Sequence, residues 1–244
     1  MILKLYPHSW LLLQSDSSRI YVDPSYLERY FVGHPSRIEF GRTPEGVDGL
    51  PEQLDKADLI LLTHGDFDHM NPATIERLRD DHTQVLAPPV CVQALGSFAR
   101  PVSEGQRLNV AGVEIEVVPA HNTPEGRSTS KHHVQGESVG YVIGVGGRRI
   151  YHAGDTDVIP EMRDLGDIDV ALLPIGGYFT MDIDEAVDAA LLIEPELAIP
   201  MHTRGEADPG EFVRRLERRS TRIRAIAPAI GEPIELPERA GIGR

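Results

Sequence analysis

Thr63-His64-Gly65-Asp66-Phe67-Asp68-His69-Met70 follows the apolar run Asp58-Leu59-Ile60-Leu61-Leu62 and leads into Asn71-Pro72-Ala73-Thr74. The short, bounded apolar run fits a buried strand. Asn is a good helix N-cap, and Pro suits the first helical position. The stretch is therefore read as a strand-to-helix loop that sets two imidazoles and two carboxylates within six positions, His64 to His69.

Outward from this loop, the same placement recurs. His121 follows the strand-like Val113 to Val118, Asp155 follows Ile150 to His152, and His202 follows Leu197 to Pro200. One His or Asp after a strand is usually a turn former or a satisfied polar group. Four separate occurrences converge on His64, Asp66, Asp68, His69, His121, Asp155 and His202. Imidazoles and carboxylates hold divalent ions while leaving a position open to water, and seven suffice for two adjacent ions.

The remaining chain supplies the frame. Ile2 to Leu5, Trp10 to Gln14 and Arg19 to Val22 read as an antiparallel meander with turns at Pro7-His8-Ser9 and Ser15 to Ser18. Residues 24 to 56, rich in Pro, Gly and charge, read as a surface excursion ending in a short helix near Pro51 to Lys56. Ala111-Gly112 and Gly146-Gly147 each join two apolar segments as hairpin turns, Arg107 to Val110 with Val113 to Val118 and Val139 to Val145 with Arg148 to His152. Strands at Val170 to Leu173 and Leu197 to Pro200 flank a helix over Asp182 to Glu194, where Asp182 and Glu185 have capping-box spacing. Asp208 and Glu211 repeat that signature before a helix ending near Arg219. Meanders first and helices later suggest two mixed sheets with helices outside, in one domain spanning residues 1–244.

Composition narrows the partners. The chain has 24 basic and 38 acidic side chains, a formal net charge of −14, which repels polyanions in the absence of a basic patch. Nucleic acid and membrane surfaces are therefore not expected as partners; a small-molecule substrate is. No secretion leader or long apolar segment is evident, so a soluble, cytoplasmic protein is expected. Cys91, the single cysteine, lies in Val90-Cys91-Val92 and reads as a small buried hydrophobe. The sequence contains no serine elbow, P-loop or dinucleotide fingerprint to offer a different chemistry.

The motif His64-x-Asp66-x-Asp68-His69, then His121, Asp155 in Ala153-Gly154-Asp155-Thr156-Asp157, and His202 before a final helix resemble the metallo-β-lactamase superfamily from residue 1 to about residue 220. Tyr151 to Met162, Asp167 to Asp182 and Ala198 to Thr203 resemble its small cytoplasmic metal-dependent hydrolases related to L-ascorbate-6-phosphate lactonase. The resemblance implies an α/β (α+β) fold, a four-layer αββα sandwich, with two divalent metal ions (Zn, Mn or Fe). His64, Asp66 and His121 would surround the first ion, Asp68, His69 and His202 the second, and Asp155 would bridge them. Asp66 departs from the family pattern, which has histidine there. Its carboxylate makes the ligand set richer in oxygen and better suited to Mn or Fe.

The implied activity is hydrolysis, by metal-bound hydroxide, of a lactone or other ester-type bond in a small polar or anionic metabolite. Asp68 is the candidate proton carrier. His8, His133 and Tyr178 are candidate substrate-binding residues, each with a plain alternative: an exposed turn, a solvated loop and simple packing. His152 is read as structural, and the basic run Arg214-Arg215 with Arg218-Arg219 as a solvated helix face. A phosphodiesterase or nuclease and a non-catalytic metal-binding relative are the alternatives. Small relatives commonly associate, so a homo-oligomer is an open possibility.

Overall fold

The computed structural model describes residues 1–25, 55–203 and 206–237. The surface excursion and most of its terminal helix lie outside the described residues; Asp55 and Lys56 are irregular. The described residues form two compact units, those within 1–101 with 228–236 and those within 102–227 with 237, each built on its own seven-stranded mixed sheet.

In the first unit, β1 (Ile2–Leu5), β2 (Leu11–Gln14) and β3 (Arg19–Val22) form the expected antiparallel meander. From β3 onward the sheet turns parallel through β4 (Leu59–Leu61), β5 (Gln84–Ala87) and β6 (Ala99–Pro101). The parallel crossovers need helices, α1 (Pro72–Leu78) and α2 (Pro89–Leu95). Asn71 caps α1 as its sequence suggests, its side-chain oxygen accepting from Ala73 N and Thr74 N. Trp10, Tyr21, Ile60, Ile75, Leu78, Val85 and Cys91 belong to one apolar cluster. Every residue of β4 is buried, which accounts for its unbroken apolar run. In chain order the next strands belong to the second unit, after which the chain returns and β14 (Ile234–Glu235) pairs with β1.

The second unit repeats this change of direction. β7 (Arg107–Val110), β8 (Val113–Pro119), β9 (Val139–Val145) and β10 (Arg148–His152) are antiparallel neighbours. β10 then runs parallel to β11 (Val170–Pro174), followed by β12 (Leu197–Met201) and β13 (Arg224–Ala225). Both hairpin turns adopt left-handed backbone, with φ of 51° and 78° at Ala111-Gly112 and 59° and 70° at Gly146-Gly147, the geometry that a two-residue turn with right-handed strand twist requires. α3 (Ile183–Ile193) packs Ala186, Val187 and Ala190 inward and contacts β11, while α4 (Pro209–Arg219) buries Phe212 and Leu216 and contacts β12. Burying a side chain of that size contributes roughly 1.5–3 kcal/mol.

In each sheet, the antiparallel part gives way to parallel strands whose C-terminal ends share one edge. Loops leaving such an edge are where open α/β sheets put their chemistry. Among the described residues no helix is long and apolar enough to cross a membrane.

Candidate metal centre

The first unit's ligand-type residues leave the edge formed by β3 and β4. Past β4 the chain winds tightly, with His69 N and Met70 N both donating to Asp66 O at 2.9 and 2.7 Å. The turn brings the His64 and His69 rings to 3.9 Å between centroids, tilted 43° to each other. Asp23, one residue past β3, is fully buried and organises both. Its carboxylate accepts from Thr63 N (2.7 Å), Thr63 Oγ1 (2.6 Å) and His69 Nδ1 (2.8 Å). Thr63 gives its one hydroxyl proton to Asp23, so its oxygen accepts from His64 Nδ1, 2.9 Å away. Hydrogen bonding thus assigns both imidazoles the Nδ1–H tautomer. Their Nε2 atoms are left with a lone pair, as a metal ligand needs. His64 Nε2 lies 3.6 Å from Asp66 Oδ2, and His8 Nδ1 lies 3.6 Å from Asp68 Oδ2.

The second unit's set leaves the C-terminal edge of β10 and β12. Asp155, three residues past β10, is 3.4 Å through Oδ2 from His202 Nε2 and 3.7 Å from His133 Nε2. His133 donates from Nδ1 to the Phe179 carbonyl at 3.2 Å, so its Nε2 also carries a lone pair toward a carboxylate. His121 is held by its backbone: its N–H reaches Thr156 Oγ1 and its carbonyl accepts from Asp157 N. Its ring makes no hydrogen bond or ion pair among the described residues, and its Nδ1 is buried. His121, Asn122, Thr123, Lys131, His133 and Gln135 line an open cleft of about 410 Å³. Tyr178 is half exposed, with its ring edge-on to Phe179 at 4.5 Å.

The donor chemistry of each unit fits a cation. Imidazole lone pairs facing carboxylate oxygens are two acceptors side by side, an arrangement that a divalent ion stabilises. His8, Asp23 and His202 hold φ values of 62°, 48° and 49°, left-handed backbone that non-glycine residues rarely adopt and that collects at functional sites. Burial, and after it the negative charges of Asp23 and Asp66, push the Cys91 thiol up to about 12, so this buried cysteine is a packing residue.

Asp23 was not among the residues the sequence singled out. The signal was present: a carboxylate one residue past a strand, in Ile20-Tyr21-Val22-Asp23, the same placement that identified the others. His152 is buried, its Nδ1 accepting from Gly154 N. The arginines of α4 pair with Asp208, Glu211, Asp184 and Asp188.

Residues 3–202 match the family model described as the beta-lactamase superfamily domain. A UPF0173 metal-dependent hydrolase of Methanopyrus kandleri is 34% identical over 238 residues, covering 93% of this chain and 96% of that one. An Archaeoglobus fulgidus UPF0173 metal-dependent hydrolase is 30% identical with the same two coverages, 93% and 96%. Among solved structures, a Parabacteroides distasonis protein assigned as a metal-dependent hydrolase superposes with a TM-score of 0.76 at 30% identity, covering 93% of this chain and 92% of that one. The chain belongs to the beta-lactamase superfamily and, within it, to the UPF0173 metal-dependent hydrolases. Its fold is the metallo-β-lactamase fold expected from the sequence.

Proposed function

We propose that the protein is a cytoplasmic hydrolase, working as a single domain, that opens a lactone or other ester-type bond in a small polar metabolite. The reading rests on one observation above the others: the Asp155 carboxylate faces two imidazole Nε2 atoms, at 3.4 and 3.7 Å, on His202 and His133. We assign His64, Asp66, Asp68, His69, Asp155 and His202 as ligands for two divalent ions. The contact to Asp155 favours His133 as the further imidazole ligand, with His121 facing substrate from the cleft wall. Such ions lower the pKa of water and polarise a carbonyl oxygen.

The protein's own groups do the rest. Asp23 fixes the His69 tautomer, and Thr63 passes the same constraint to His64. Asp68, only 12% exposed at its side chain and facing His8, holds a proton in transit to the leaving oxygen. Tyr178, half exposed, offers a phenol to the substrate. Asp66 supplies oxygen where family members have nitrogen, which favours manganese or iron over zinc.

The test is a panel of lactone, thioester, phosphodiester and β-lactam substrates, each assayed with protein reconstituted in Zn, Mn or Fe. Lactone or ester turnover, abolished in Asp68→Asn, is the expected result. Turnover of phosphodiesters alone would overturn the substrate assignment, and absence of bound metal after reconstitution would overturn the hydrolase.

A further inference from the structure

The loop from His121 to His133 contains a set of polar contacts, gathered around the buried Asp157, that the proposed chemistry does not use. Asn122 is its hub. Its side-chain oxygen accepts from His132 N at 2.9 Å and His133 N at 2.8 Å, and its backbone N–H donates to the His133 carbonyl at 2.9 Å. Its Nδ2 lies within hydrogen-bonding range of Phe179 O (2.8 Å), Ser128 Oγ (3.2 Å) and Asp157 Oδ1 (3.2 Å). The Phe179 carbonyl is the one that accepts from the His133 ring. One amide thus grips both the backbone of His133 and the group that orients its imidazole.

The hub is itself anchored. Asp157 is fully buried and accepts from Thr123 N at 2.8 Å and Lys131 Nζ at 3.0 Å. Lys131 has acceptors for all three of its protons, the others being Gly126 O at 2.6 Å and Ser128 Oγ at 2.9 Å. A lysine so occupied ties the loop together and has no proton left for an anionic substrate. A Cβ at Gly126 would lie 2.1 Å from Asp157 Oδ2, so only glycine lets the loop close over the carboxylate. Where Arg127 begins, its N–H donates to Glu185 Oε1 on α3 at 2.7 Å.

We propose that Asn122, anchored by the Asp157–Lys131 pair, is a positioning residue that sets the His133 imidazole for metal ligation. The proposal rests on His133 being a ligand. Asn122 then governs affinity through the backbone and the Phe179 carbonyl that orient the ring, an outer-sphere effect that typically amounts to 10–100-fold. Its signature differs from that of a merely structural contact: it changes the ion's coordination, not only the stability of the chain.

The experiment compares wild type, Asn122→Ala, His133→Ala and the double variant Lys131→Met/Asp157→Asn, which removes the ion pair without leaving a lone buried charge. Each metal-free protein is melted, then titrated with Co(II) while the visible absorption bands are recorded. Asn122→Ala is expected to melt within a few degrees of wild type, to bind Co(II) roughly 10–100-fold more weakly, and to shift its spectrum in the direction that His133→Ala does. Wild-type affinity and spectrum in Asn122→Ala, with both changed in His133→Ala, would overturn the proposal and leave the ligand assignment standing. Wild-type binding in His133→Ala would overturn the assignment and the proposal with it. If Asn122→Ala does not fold, the double variant decides by the same two readouts.

Discussion

A carboxylate that accepts hydrogen bonds from Thr63 N, Thr63 Oγ1 and His69 Nδ1, and holds a left-handed backbone to do so, cannot be exchanged for its amide without loss. In Asp23→Asn, one oxygen becomes a donor, and a buried Thr63 or His69 N–H or O–H faces it. Leaving a buried donor unmet costs about 1–3 kcal/mol. The His69 tautomer also loses its anchor, and the expected result is metal affinity lower by roughly 10–100-fold. Calorimetric titration of metal into the metal-free variant measures it; wild-type affinity would show that Asp23 supports only the fold. The strand-end placement of Asp23 is ambiguous in the sequence because Asp before Pro equally reads as a turn former, and its partner Thr63 lies 40 positions on. His64 and His69 were legible because imidazoles directly after an apolar strand stand out. The two histidines of the later loop illustrate the limit of that rule. Distance from the strand marks His121, whereas His133, held through its backbone by Asn122, stands with Nε2 3.7 Å from Asp155 Oδ2, a contact that no local pattern announces.

Helix α3 shows an element whose sequence signals and structure agree. Asp182 accepts from Glu185 N at 2.8 Å, and Glu185 Oε2 returns to Asp182 N at 3.3 Å, completing the capping box. Asp208 at α4 bonds Gly210 N without the reciprocal contact, so the second signature marks a simpler cap. Asp182→Ala is expected to cost about 1 kcal/mol, within the usual 0.5–2 range for a lost cap. That corresponds to a melting temperature lower by about 2–4 °C in a chain of this size. A thermal melt is the check, and an unchanged midpoint would mean that α3 is held by packing alone. The Arg215 guanidinium keeps the Asp184 carboxyl below the usual carboxylate range, but both groups face water, and such a pair contributes little beside the cap. The hairpins and the two later helices were readable because turn and cap residues act locally. β13 and β14, of two residues each, were not: they exist through pairing with β12 and with β1, and no local propensity marks them.

At the scale of the whole molecule, fold stability and metal binding are separable. Each unit has its own sheet and its own buried apolar residues, from Trp10 and Ile75 in one to Phe212 and Leu216 in the other. These cores do not depend on an ion in the way that a small zinc-stapled domain does. Three of the 38 acidic side chains behind the net charge of −14, Asp66, Asp68 and Asp155, belong to the proposed ligand set, and divalent cations there would relieve repulsion among them. Chelation is therefore expected to leave the protein folded at room temperature but less stable. A ligand present at 100 times its dissociation constant stabilises by about 2.7 kcal/mol. At roughly 2–4 °C per kcal/mol, the metal-loaded protein should melt about 5–11 °C above the chelated one. The shift should grow with added Mn(II) or Zn(II) and vanish when the proposed ligands His69 and His202 are both replaced by alanine. Circular dichroism of the chelated protein at room temperature, followed through a thermal melt, tests both halves of this expectation. A disordered spectrum on chelation would make the ions structural staples, whereas identical melting with and without metal would remove the metal centre from this protein.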